Sequence, residues 1–115
     1  MMNDWKEQLA STRQAHTLLR KANQEFAGAF VGLREAEHAG KAIDAKTREL
    51  ISIAVAVTTH CDSCIAGHVQ AARKAGATVQ EVGDALAVAV TLNAGAAYVY
   101  SLRVLEAFDQ FGEGA

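Results

Sequence analysis

The 115-residue sequence contains no proline, where average usage would supply about six. Aromatic residues make up only 6% of it, and alanine is abundant. This composition favours helices and disfavours a β-sandwich or barrel, which uses aromatic and β-branched residues throughout. A basic excess is also missing. Eleven Lys and Arg against thirteen Asp and Glu leave a net charge of −2, with a pI near 6.0. That argues against a nucleic-acid or anionic-membrane binder. No uninterrupted apolar run reaches the roughly 18–20 residues of a spanning helix. The start, Met1-Met2-Asn3-Asp4-Trp5-Lys6, shows no apolar signal region. Cysteine occurs twice, at Cys61 and Cys64, too sparsely for a disulfide framework. The expectation is one cytoplasmic domain spanning residues 1–115.

What is present reads as five to six helices. From Asp4 to Ala39, Leu9, Leu18, Leu19, Ala22, Phe26, Phe30 and Leu33 recur at helical spacing. They fit one long helix, or two with a break near Gly28, stopped at Gly40. Asp44 is a good N-cap for a helix to about Thr59. Its apolar stretch, Leu50–Val57, predicts a buried central helix. Another helix fits from about Asp62 to Ala75, ended by Gly76. Thr78-x-x-Glu81 is a capping box opening a fifth. The small residues Asn93–Ala97 mark a break or a very close helix contact before a last helix to Phe111. The tail Gly112–Ala115 is expected to fray. The apolar supply exceeds what one small helical domain can hide, which predicts self-association.

Four residues combine into a chemical pattern: Glu49, Cys61, Cys64 and His68. Cys64 and His68 are i, i+4 neighbours on one helix, and Cys61 lies one turn earlier on the same face. A helix N-terminus favours thiolate over thiol, and an adjacent imidazole accepts the proton. If the helices on either side of His60-Cys61 form an antiparallel hairpin, Glu49 comes within reach of His68. The expected ladder runs from Glu49 to His68 to Cys64, with Cys61 beside Cys64. This is the pattern of nucleophile, base and orienting group. Taken singly, Glu49 is a solvated first-turn charge, His68 an ordinary histidine, and the cysteines two small buried hydrophobes. Their common placement is what joins them. A zinc site from Cys61, Cys64, His68 and either His60 or Glu49 is the rival chemistry. Structural zinc sites usually join separated ligand pairs, whereas three of these ligands crowd one and a half turns. No metal is therefore assigned. No nucleotide, flavin or haem motif is present, so no organic cofactor is expected.

The stretch Glu49-x11-Cys61-x2-Cys64-x3-His68 resembles the AhpD-like, carboxymuconolactone decarboxylase family. Thr47-Arg48-Glu49-Leu50, His60–His68 and Ala72–Thr78 belong to the resemblance, which covers about residues 20–110. It implies an all-α, AhpD-like helical fold with a core over about residues 20–111, assembled as trimers or hexamers. It also implies thiol-dependent reduction of hydroperoxides by a cycling Cys61–Cys64 pair. The donor would be a dithiol reductant or a lipoylated partner protein. The sequence departs from the larger peroxidases at Ser63, where they carry a second histidine. His60 and Ser63 are accessory candidates for that part of the relay. The decarboxylase that names the family lacks the CxxC pair, so Cys61 and Cys64 favour peroxide or disulfide chemistry over a lyase. A protein thiol–disulfide oxidoreductase or redox sensor would use the same four residues.

Overall fold

Helix boundaries in this chain are set by side chains that satisfy the free backbone groups of each helix end. The computed structural model describes residues 2–112. They form α1 (Trp5–Ala22), α2 (Gln24–His38), α3 (Ala45–Thr58), α4 (Asp62–Lys74) and α5 (Val79–Gly112), with no strand among them. Asp4 caps α1 by accepting from the Glu7 N–H, and Asp44 caps α3 by accepting from the Thr47 N–H at 2.8 Å. Thr78 and Glu81 exchange two hydrogen bonds at the start of α5, as the capping box requires. Of the tail Gly112–Ala115, where fraying is expected, Gly112 is the last residue of α5, and residues 113–115 lie outside the described residues.

Two boundaries differ from the sequence expectation. The break in the first segment falls at Asn23, not Gly28. Asn23 ends α1 by donating its N–H to the Leu19 carbonyl, and its side chain accepts from the Phe26 N–H to start α2. A glycine inside a helix costs only about 1 kcal/mol relative to alanine, whereas asparagine serves both ends of the break. The Asn93–Ala97 patch is not a break, and among the described residues of the subunit no second helix approaches it closely. α5 runs through it, Asn93 donates to the Ala89 carbonyl at 2.7 Å, and a Cβ on Gly95 would meet nothing within 4 Å. Without a proline, nothing in this stretch forces the helix to end.

α3 is the centre of the packing. α4 and α5 lie against it, while α1 packs on α4 and α2 on α1. Ala56 and Ile53 are buried. Ile51 and Val55 on the other side of α3 stand about half exposed, so α3 is not buried all round. Only the first half of α5 is held, through buried Ala89, and large apolar side chains from Tyr98 to Phe111 are open. Continuity makes α5, at 34 residues, long and apolar enough by length and composition to cross a membrane. Counting uninterrupted apolar runs had missed this, because isolated polar residues divide the run in sequence without dividing the helix.

Candidate active site

The α3–α4 turn places the two cysteines. α3 ends with the His60 N–H donating to the Val57 carbonyl at 3.3 Å and the Cys61 N–H to the Ala56 carbonyl at 3.1 Å. This closure puts the residue between them in the left-handed region, and His60 has φ 54°. α4 closes in the same way, but with Gly76 at φ 86°. His60 stands exposed on the turn.

Cys61 is the N-cap of α4, and its Sγ accepts the Cys64 N–H at 3.3 Å. Cys61 and Cys64 form a disulfide with their Cα atoms 5.2 Å apart. The sulfurs therefore lie at the positive end of the α4 dipole, where negative charge on either is stabilised. His68 follows Cys64 by one turn on the same face.

The expected link to α3 is present. Glu49 is buried in the first half of α3, and its Oε2 lies 2.6 Å from His68 Nδ1. The Glu49 side chain is only 10% exposed, against 30% for His68. A carboxylate this buried needs a partner, and the imidazole N–H supplies one. With Nδ1 so engaged, Nε2 is the remaining ring nitrogen of His68. The structure thus joins Glu49 directly to His68 and sets the Cys61–Cys64 pair at the start of the same helix, with Cys64 one turn before His68.

Ser63 is turned elsewhere. Its hydroxyl lies 2.8 Å from that of Thr12 and accepts weakly from the Gln8 amide at 3.5 Å, both on α1. This ties the middle of the CxxC segment to the first helix. Among the described residues no group of three or more His, Cys, Asp or Glu is placed to hold a metal ion. An open hollow of about 370 Å³ at the α2–α3 turn is lined by Glu37, Ile43, Arg48 and Ile51 among others, and by neither cysteine nor His68.

The sequence reading missed His38. It ends α2, and its Nε2 lies 4.0 Å from Glu49 Oε1, the oxygen not used by His68. Arg48 and Glu37 pair beside it at 3.3 Å. No spacing rule links position 38 to the CxxC segment. Only the return of the chain through Gly40–Ile43 does so, fixed by Arg48 donating to the Gly40 carbonyl at 2.7 Å.

Comparison with known proteins shows the family and the fold. The described residues are all-helical apart from turns, with a Glu49–His68 pair on α3 and α4 and a Cys61–Cys64 disulfide at the start of α4. Residues 24–107 match the carboxymuconolactone decarboxylase family, and the chain belongs to that family. An uncharacterized protein of Haemophilus influenzae is 51% identical over 108 residues, covering 94% of this chain and 96% of its own length. Uncharacterized protein 4 in the cox locus of Paracoccus denitrificans is 39% identical over 90 residues, covering 78% of this chain and 81% of its own. Among solved structures, a carboxymuconolactone decarboxylase family protein from Legionella pneumophila superposes with a TM-score of 0.73 at 32% identity. That match covers 95% of this chain and 97% of the other. A Methanobacterium thermoautotrophicum protein gives 0.70 at 31% identity, over 75% of this chain and 97% of its own.

Proposed function

We propose that this protein is a cytoplasmic, thiol-dependent alkylhydroperoxidase-like enzyme cycling Cys61 and Cys64 between dithiol and disulfide. The observation that carries this reading is the 2.6 Å contact of buried Glu49 with His68, one helical turn from the cysteine pair. A catalytic disulfide is also the kind that a reducing compartment tolerates.

In the reduced protein, His68 takes the Cys64 proton, and Glu49 stabilises the imidazolium that forms. The thiolate attacks the terminal oxygen of the hydroperoxide. The O–O bond breaks, the sulfur becomes a sulfenic acid, and His68 returns its proton to the departing alkoxide as an alcohol. The Cys61 thiol then displaces hydroxide from the sulfenic acid; its proton completes a water molecule, and the disulfide forms. A dithiol, free or carried on a lipoylated protein, reduces the pair through a mixed disulfide and is itself oxidised. Cys64 attacks because it shares the His68 turn. Limiting alkylation of the reduced protein with peptide mapping would reverse the two roles if Cys61 were labelled first.

The working unit in this reading is a homo-oligomer, as a trimer or hexamer. The accessible surface is 9161 Å², whereas a compact 12.2 kDa monomer has about 6,100 Å². The radius of gyration is 19.5 Å, against about 13 Å for a compact chain of this length. Copies of the subunit covering the open half of α5 would account for both.

The deciding experiment is hydroperoxide consumption by the pre-reduced protein with a dithiol donor, compared with Cys64→Ser. Multiple turnovers in the parent, lost in the variant, are expected. If neither consumes peroxide while the thiols still exchange with a protein disulfide, the peroxidase assignment fails in favour of a thiol–disulfide oxidoreductase.

A further inference from the structure

Glu49 has two oxygens and a histidine at each. Oε2 meets His68 Nδ1 at 2.6 Å, and Oε1 faces His38 Nε2 at 4.0 Å. The two rings differ in setting. His68 lies on α4 one turn after Cys64, whereas His38 ends α2 and its side chain is 45% exposed. The His38 ring is oriented from its other nitrogen, since Nδ1 lies 2.8 Å from the Arg34 carbonyl, which only accepts. Nδ1 therefore carries the proton and Nε2 is the atom turned to Glu49. The other charged groups around His38 are Glu37, with Oε2 at 3.3 Å from Nδ1, and Arg48 of α3, which pairs with the same Glu37 oxygen.

We propose that His38 is a positioning residue of the redox site, sharing Glu49 with His68 and so setting how strongly that carboxylate supports the His68 base. The inference rests on the thiol chemistry proposed above. Neutral His38 presents a lone pair to Oε1, which leaves the carboxylate charge to His68. Protonated His38 presents an N–H and a positive charge, and the two imidazoles compete for one carboxylate. Charge on a solvent-accessible ring thus reaches the cysteines through a buried group, with no direct contact between His38 and either sulfur required. Because His38 is nearly half exposed, the expected effect has the size of a surface ion pair, about two- to fivefold in rate or equilibrium.

The test is a histidine-ring NMR titration of the oxidised protein, in which the cysteines do not ionise. Only four histidines are present, which keeps the spectrum tractable. The His68 signals are expected to show a secondary inflection at the pH where His38 titrates. That inflection should vanish in His38→Gln and persist in His16→Gln. In the reduced protein, the alkylation rate against pH should carry a two- to fivefold step at the same pH, absent from His38→Gln. Superimposable His68 titrations in the parent and His38→Gln would overturn the proposal. So would a His38→Gln alkylation profile lowered equally at every pH, which marks a merely structural role. If His38→Gln does not fold, His38→Asn and the parent's own secondary inflection still decide. Coupling without peroxide turnover would sustain this proposal and refute the peroxidase reading.

Discussion

Replacing Glu49 with glutamine tests the core of the reading, because it keeps the side-chain shape and removes only the charge. In the parent, the carboxylate is 10% exposed and 2.6 Å from His68 Nδ1. A hydrogen bond to a charged group contributes about 1.5–3 kcal/mol, whereas a neutral one contributes about 0.5–1.5 kcal/mol. The difference acts when His68 becomes cationic by taking the thiol proton, so it falls on the step that generates the nucleophile. Losing about 1–2 kcal/mol there slows thiol activation by roughly five- to thirtyfold. Glu49→Gln should therefore slow alkylation of the reduced protein at neutral pH by that factor, and peroxide turnover at least as much. The fold should survive, since glutamine still accepts from the imidazole. Stopped-flow alkylation with a small iodoacetamide-type reagent reads the thiol directly, without assuming a substrate. Rates within twofold of the parent, in a variant with unchanged circular dichroism, would refute the ladder as the activating device.

Three further outcomes follow from the same geometry. His60 holds a left-handed conformation that costs a non-glycine residue about 1 kcal/mol, so His60→Gly should stabilise the protein by up to that amount in chemical denaturation. Its peroxide turnover should be retained, and a loss of turnover would instead give His60 a part in the relay. The Lys46 ammonium, 2.8 Å away, and then the Thr78 N–H hold the Glu81 carboxyl below the usual carboxylate range. A carboxylate with a lowered folded-state pKa stabilises at neutral pH and loses that contribution as pH falls through its titration. Denaturation between neutral and acid pH should accordingly show a shallower acid loss for Glu81→Gln than for the parent; the change is small because the pair is exposed. Finally, Phe108 is 80% exposed on the subunit surface. In a lone subunit Phe108→Asp would change stability by less than about 0.5 kcal/mol, whereas in the proposed assembly it should reduce the mass seen by light scattering. An unchanged mass would remove Phe108 from the interface.

Local chemistry was legible in the sequence wherever a few neighbouring residues decide the outcome. Asp44, Thr78 and Glu81 cap helices because their side chains reach backbone N–H groups three residues away. Cys64 and His68 share a face because helical spacing puts them there. The hairpin that brings Glu49 to His68 was also readable, since helices on either side of a tight turn must run antiparallel. Helix continuity was less so. Asn23 and the Asn93–Ala97 patch have similar local signals, yet the first divides two helices and the second lies inside one. Only tertiary structure decided what Glu49 does with its second oxygen. His38 reaches it because Arg48 folds the Gly40–Ile43 turn back onto α3, a contact between segments whose sequence spacing carries no periodic signature. The sequence by itself thus determined the helical class, the caps at Asp44 and Thr78, and the Glu49–His68 half of the site. The three-dimensional course of the chain determined the other half, because burial of a charge is shared by every group that the fold brings within a few ångströms of it.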